Sequence, residues 1–182
     1  MPNTIISGFN NNPPRKEYYC RLLIFLLLLF VNHDIHSQCN VKKEIDDFEG
    51  AIIYTIKPKL VTGMQNYPIR LGFRKRITGE TVAYTCIVRA SVGSPPKCFN
   101  DKSKISLILS DDQVINLYNR SGIDCNSPAI IMICRIDNTY LEVLSSMEIK
   151  KMRVYFSEFK RDYSPTNKSI FIDGLNCLFA EE

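Results

Sequence analysis

Between Pro68 and Ala90, apolar and polar residues alternate, break once, and alternate again. Ile69, Leu71 and Phe73 interleave with Arg70, Gly72 and Arg74. Beyond Thr78-Gly79, Tyr84, Cys86 and Val88 interleave with Ala83, Thr85 and Ile87. Successive side chains on a strand point to opposite faces, so the pattern predicts a hairpin. With its turn centred on Thr78-Gly79, Phe73 lies opposite Tyr84, Leu71 opposite Cys86 and Ile69 opposite Val88. The apolar set then shares one face, while Arg70, Arg74 and Arg76 point to water. A one-residue slip would mix the two sets, so the pattern itself selects the register. This hairpin is expected at the centre of a mainly β domain.

The same periodicity predicts further strands on either side. Gly50 to Ile56 forms a first strand with Ile52, Tyr54 and Ile56 on one face, closed by Pro58 and a Thr62-Gly63 turn. The polar residues 38–49 before it read as a lead-in segment. Ser91 to Ser103 is a surface loop. Lys104 to Asn119 reads as a second hairpin turning at Asp111-Asp112, with Leu109 opposite Val114 and Ile108 opposite Ile115. That register puts apolar residues on both faces, as in a pair covered on both sides. Ser121 to Pro128 is loop. Ala129 to Ile136 and Thr139 to Leu144 make a third hairpin about Asp137-Asn138, and Arg153 to Phe159 makes a further strand. Ser145 and Glu148 have the spacing of a capping box, which predicts a short helix near 145–151. Ser164-Pro165 marks the start of a C-terminal helix. Within it, Phe171, Leu175, Leu178 and Phe179 fall on one face; a strand over Ile170 to Ile172 ended by Gly174 is the competing reading. The expected fold class is mainly β (α+β): an antiparallel sandwich or rolled sheet of about eight strands with these two helices.

One segment does not belong to that fold. Leu22 to Val31 is ten unbroken apolar residues preceded by Arg15, Lys16 and Arg21. A helix needs about 20 residues to span a bilayer, whereas this run has the length and flanking charge of a secretory signal. Residues 1–37 are therefore expected to be a signal peptide, cleaved after Ser37 to leave Gln38 first. An uncleaved signal anchor is the competing reading, and only then would the chain touch a membrane. His36-Ser37-Gln38 is a poor context for lipidation of Cys39. The expected organisation is leader, lead-in and a single β-rich domain over 50–180, exported to the periplasm, the cell envelope or the medium.

That reading changes the chemistry available. Both histidines, His33 and His36, lie in the leader, and the chain has no Trp. Six cysteines remain as candidates for bridges: Cys39, Cys86, Cys98, Cys125, Cys134 and Cys177. An even count in an exported chain points to disulfides, although sequence leaves the pairing open. Loop positions favour Cys98 and Cys125 as partners. Cys86 and Cys134 occupy inward strand positions, where a buried thiol competes with a bridge. No Cys-x-x-Cys occurs to suggest a redox pair or a zinc knuckle. The full chain carries 23 Lys and Arg against 19 Asp and Glu, a net charge of +4. This is too balanced to argue for nucleic acid or an anionic membrane surface.

Four stretches carry a resemblance. They are Asp47-Phe48-Glu49-Gly50, the run Ser110 to Tyr118 (SDDQVINLY), and the run Glu148 to Tyr155 (EIKKMRVY), followed by Leu175-Asn176-Cys177-Leu178. Together they resemble short exported proteins of unassigned function from Bacteroidetes bacteria, over most of residues 47–179. The resemblance implies export and a small β-rich fold, and it brings no catalytic residues with it. The loop from Ser91 to Ser103 is longer here.

Without a histidine past the leader, Ser-His-Asp or Cys-His hydrolysis has no imidazole base, and His-ligated zinc or copper has no ligand. Neither a metal nor a cofactor is implied. Asp111 and Asp112 with Asp137 lack the spacing of a calcium loop, and turn chemistry accounts for them. Two carboxylates can hydrolyse a glycan; Glu142 and Glu158 are the candidates, both expected on strands and facing water. Tyr54, Tyr84, Tyr118, Tyr140 and Tyr155 fall at strand positions of the core or its rim. Asn119-Arg120-Ser121 and Asn167-Lys168-Ser169 match the glycosylation sequon. Arg70, Arg74, Arg76 and Arg89 form a candidate basic face for an acidic partner, weighed against an ordinary solvated strand face. The expected function is an exported, non-enzymatic domain that binds a protein or polysaccharide, or completes a larger assembly. A carboxylate-dependent glycan hydrolase is the alternative. Ligand and oligomeric state are left open.

Overall fold

The computed structural model describes residues 39–62, 68–91, 98–125 and 129–181. The expected leader lies outside them, as do residues 63–67, 92–97 and 126–128. Among the described residues are nine strands and two helices, mostly β as the alternation predicts. Five antiparallel strands form one sheet in the order β1 (Val41–Asp46), β2 (Ala51–Leu60), β3 (Ile69–Thr78), β4 (Thr81–Ser91), β7 (Ala129–Ile136). The other sheet runs β6 (Val114–Tyr118), β5 (Lys104–Leu109), β8 (Ile149–Tyr155), β9 (Lys160–Tyr163). Helix α1 spans Asn138–Ser146 and α2 spans Ile170–Phe179. The inner faces of both sheets and the apolar side of α2 close on one sandwich-like core. Buried Leu71, Phe73, Cys86, Val88, Leu107, Ile115, Met132, Val154 and Phe171 all belong to it.

The central hairpin is where the alternation places it, with β3 in the middle of the larger sheet. Its register differs by two residues: Phe73 pairs with Cys86, Leu71 with Val88 and Ile69 with Ala90. The loop is Gly79-Glu80, between paired Thr78 and Thr81, and Gly79 has φ +56°. Glycine belongs at the first central position of such a turn, where the backbone is left-handed. Because the shift is two, every side chain keeps its expected face.

The second hairpin differs by one residue, which changes its faces. Asp112 donates its N–H to Leu109 O (3.0 Å) and takes φ 67°, and Leu109 donates to Gln113 O. Ser110, Asp111 and Asp112 thus make a three-residue loop, one residue longer than the expected turn. Ile108 faces Val114 and Leu107 faces Ile115. Ile105, Leu107, Leu109, Ile115 and Leu117 are buried, whereas Val114 is 56% and Tyr118 51% exposed. One face of this pair meets solvent, so the expected cover on both sides is corrected.

Three other segments depart from expectation. The polar lead-in contains β1, a charged edge strand paired along β2; exposed lysines there suit an edge that should not recruit another strand. Strand β2 continues through Pro58, and its register against β3 shifts between Ile56 and Lys59. A bulge is one of the few places a sheet accepts proline. Thr139 to Leu144, expected as a strand, lies in α1, and the expected helix near 145–151 overlaps only its last turn. Ile149 onward is β8. Asn176 Nδ2 donates to Ser145 O (3.4 Å), tying α2 to the end of α1.

The C-terminal segment is a helix. Phe171, Leu175 and Leu178 are buried as expected, and Phe179 is 38% exposed at its end. The helix lies close enough to β3 that a Cβ added to Gly174 would stand 2.3 Å from the Phe73 ring. Lys75, on the inner face of β3 and only 7% exposed, donates to Leu178 O (3.2 Å) and Glu181 O at the C-terminal end of α2. Its ammonium also lies 5.7 Å from the Tyr54 ring centroid. A cation is stabilising where unpaired helix carbonyls accumulate.

Two disulfides join Cys39 to Cys177 and Cys98 to Cys125. In the chain-entropy description, closing loops of 138 and 27 residues is worth about 5 and about 3.5 kcal/mol respectively. Such bridges point to an oxidising compartment. Cys86 and Cys134 are buried free thiols, cross-strand partners on β4 and β7. Burial, helped by Cys134 nearby, pushes the Cys86 thiol well up, and burial pushes Cys134 up to about 12.

Two measurements check this packing. Gly174→Ala should cost about 1–3 kcal/mol in urea unfolding by forcing Phe73 or the helix to move; a stability equal to wild type would contradict the close approach. Iodoacetamide should leave Cys86 and Cys134 unmodified in the native protein and label both in denaturant. The four bridged cysteines should react only after reduction. Peptide mapping that finds label on either thiol in the native state would overturn the burial.

Candidate functional site

The outward positions of β5 are Lys104, Ser106 and Ile108, and pairing lines each up with neighbours from β6 and β8. Lys104 lies between Tyr118 and Tyr155, Ser106 between Asn116 and Arg153, and Ile108 between Val114 and Lys151. Pairing of β8 with β9 extends two of these rows, adding Lys160 beside Tyr155 and Asp162 beside Arg153. Along this outer face runs a groove of about 500 Å³, lined among others by Ser106, Asn116, Arg153, Tyr155 and Asp162.

Polar groups in it and beside it hold one another in place. The Lys104 ammonium sits 4.8 Å from the Tyr155 ring centroid and 5.5 Å from that of Tyr118. Each contact of this kind is worth about 0.5–1 kcal/mol at an exposed site. Ser106 Oγ donates to Asn116 Oδ1 (2.6 Å). Arg153 forks onto Asp162, its Nε to Oδ1 and its Nη2 to Oδ2 (2.6 Å). That hydrogen bond holds the Asp162 carboxyl below its usual range. The Tyr155 hydroxyl is lowered chiefly by a hydrogen bond donated from Arg153, with Ser106, the Arg153 charge and Lys104 adding to it. The groove therefore offers fixed donors and the Tyr155 ring in a shallow trough, with Lys104 and Tyr118 in the adjoining row outside its lining. Such a surface orients hydroxyls and carbonyls; its lining contains a single carboxylate, Asp162, already engaged.

The expected site residues are distributed differently. Arg70, Arg74, Arg76 and Arg89 share the outer face of the five-stranded sheet, away from the groove. Arg76 is occupied by Glu49 and by Asp46 (3.5 Å). Arg135 on β7 joins the same face, in one row with Thr85 and Arg74; it was missed because β7 reads as an apolar strand. Glu142 is exposed on α1 and Glu158 is exposed in the β8–β9 connection, so neither is on a strand and neither lines the groove. Asp112 pairs with Lys150 (2.6 Å), and no cluster of three His, Cys, Asp or Glu occurs among the described residues.

Tyr118 and Tyr155, expected at the core or its rim, are on the solvent side. The signal was the outward parity of β5, β6 and β8, which the one-residue slip concealed. Asn119, the acceptor of one sequon, is buried and fully engaged: Nδ2 donates to Asn100 O and Gly122 O (both 2.8 Å), and Oδ1 accepts from Ser121. Asn167, in the other sequon, is half-buried, its Oδ1 accepting from Ser169 Oγ (3.3 Å).

Fold and groove together define a small disulfide-bonded β domain with one tyrosine-lined polar trough. No protein-family model, curated protein or solved structure matches the chain.

The groove's hydrogen bonding is open to spectrophotometric titration. Tyr155 should form phenolate below the ordinary value of about 10, and this component should vanish in Tyr155→Phe. Arg153→Ala should move it upward. Loss of only a late-titrating component in Tyr155→Phe would contradict the arrangement.

Proposed function

We propose that the protein is an exported, non-catalytic binding domain that holds a segment of polysaccharide, or of a protein partner, in the groove over β5, β6, β8 and β9. The observation that carries this reading is Lys104 set between Tyr118 and Tyr155 beside an Arg153–Asp162 fork. Tyrosine faces stack on sugar rings, while fixed donors orient the hydroxyls. A two-carboxylate hydrolase needs a second acid about 5–9.5 Å from the first, and Asp162 is the one carboxylate in the lining. Export is supported by the two bridges, by the apolar leader and by the resemblance to exported Bacteroidetes proteins. The site of action is then the periplasm, the envelope or the medium.

A glycan array followed by titration calorimetry tests the proposal. A polysaccharide fragment should bind, and Tyr155→Ala and Lys104→Ala should each weaken it about tenfold, or about 1.4 kcal/mol. Binding that survives both changes would move the site elsewhere. Release of new reducing ends that stops in Asp162→Asn would replace binding with hydrolysis.

A further inference from the structure

The outer face of the five-stranded sheet has a chemistry of its own. Arg70 and Arg89 are direct cross-strand partners, and Arg74 and Arg135 flank Thr85 in a second row. None of the four enters an ion pair among the described residues, and the nearby Glu44 is held by Lys42. Like charges directly opposite one another are destabilising, so the Arg70–Arg89 pair works against the folded state as it stands. In the other row, Arg74 Nε and Thr85 Oγ1 are buried atoms with no hydrogen-bond partner. Both atoms are closed to solvent, so contact with an anion from outside falls to the exposed part of half-buried Arg74 and to exposed Arg135.

We propose that this face binds an acidic polysaccharide, with sulfate or carboxylate groups seated at Arg70/Arg89 and along the row that carries Arg74 and Arg135. Guanidinium forks match both oxyanions. The two stations are four residues apart along β3 and β4, about 13 Å. One small anion cannot reach both, so the occupant carries a series of charges. Between the stations lie half-buried Ile87 and Ile133, paired across β4 and β7. They give the C–H faces of sugar rings an apolar strip to rest on. An oxidising compartment favours a glycan over a nucleic acid as the polyanion. The inference stands apart from the groove, which lies on the other sheet.

Calorimetric titration of the purified protein with heparin, polygalacturonate, dextran and a single-stranded oligonucleotide tests it. At least one acidic glycan should bind, weakening steeply with added salt as counterions compete, while dextran should not. Arg70→Gln/Arg89→Gln and Arg135→Gln should each reduce affinity about tenfold or more, and Lys104→Ala should not change it. At low salt the folded double variant should melt no lower than wild type, since a repulsion has been removed. If the double variant does not fold, exposed Arg135→Gln alone decides. Absence of acidic-glycan binding, wild-type affinity in Arg135→Gln, or equal affinity for the oligonucleotide would overturn the proposal.

Discussion

Helix α2 rests on the larger sheet with no spacer, because Gly174 leaves room only for the Phe73 ring. The other elements are arranged around that contact. Phe171 meets Phe73 edge-on at 5.0 Å between centroids, and Tyr84 meets Phe179 in the same way at 5.5 Å. Lys75 then uses the end of the helix, exchanging water for carbonyl oxygens that would otherwise have no donor. A lysine among apolar neighbours is costly unless its ammonium is answered. Here the helix terminus supplies the acceptors and the Tyr54 face lies nearby. The Cys39–Cys177 bridge ties the residues just before β1 to the same helix.

With the interior closed in this way, both sheets turn polar faces outward, and the two faces differ in kind. On the four-stranded sheet, Ser106 is bonded to Asn116 and Arg153 to Asp162 across neighbouring strands, so these side chains of the trough are held in one geometry. Preorganisation of that sort favours recognition of a particular shape. On the five-stranded sheet, four arginines stand outside any ion pair among the described residues and two polar atoms stand without hydrogen-bond partners. That surface is prepared for charge more than for shape.

Much of the interior was legible in the chain because a period of two survives most errors. The central hairpin kept every expected inward residue although its partners shifted by two, since Gly79 had to lead the turn. The second hairpin did not keep them, because Asp112 enters a left-handed conformation that nothing in Asp-Asp demands. One extra loop residue then sent Tyr118 and Lys104 to water. Helix α1 was hidden for a different reason. Tyr140, Leu141 and Leu144 fit a helical stripe and a strand about equally well over so short a run, and packing against α2 decides between them. Lys75 could not be foreseen at all: its partners are carbonyls more than a hundred residues away. The trough was therefore invisible in sequence, whereas three of the four unpaired arginines were not.

The separation of Cys39 from Cys177 has a consequence for how the protein matures. Cys177 lies on α2, 138 residues beyond Cys39, so this bridge can close only after every strand of both sheets has emerged. The Cys98–Cys125 loop is complete much earlier. Until Cys177 arrives, Cys39 stands among thiols that are wrong for it, and Cys86 and Cys134 are kept from mispairing by burial. Correct maturation thus depends on burial outpacing oxidation, with the final link acting as a latch on a finished sandwich.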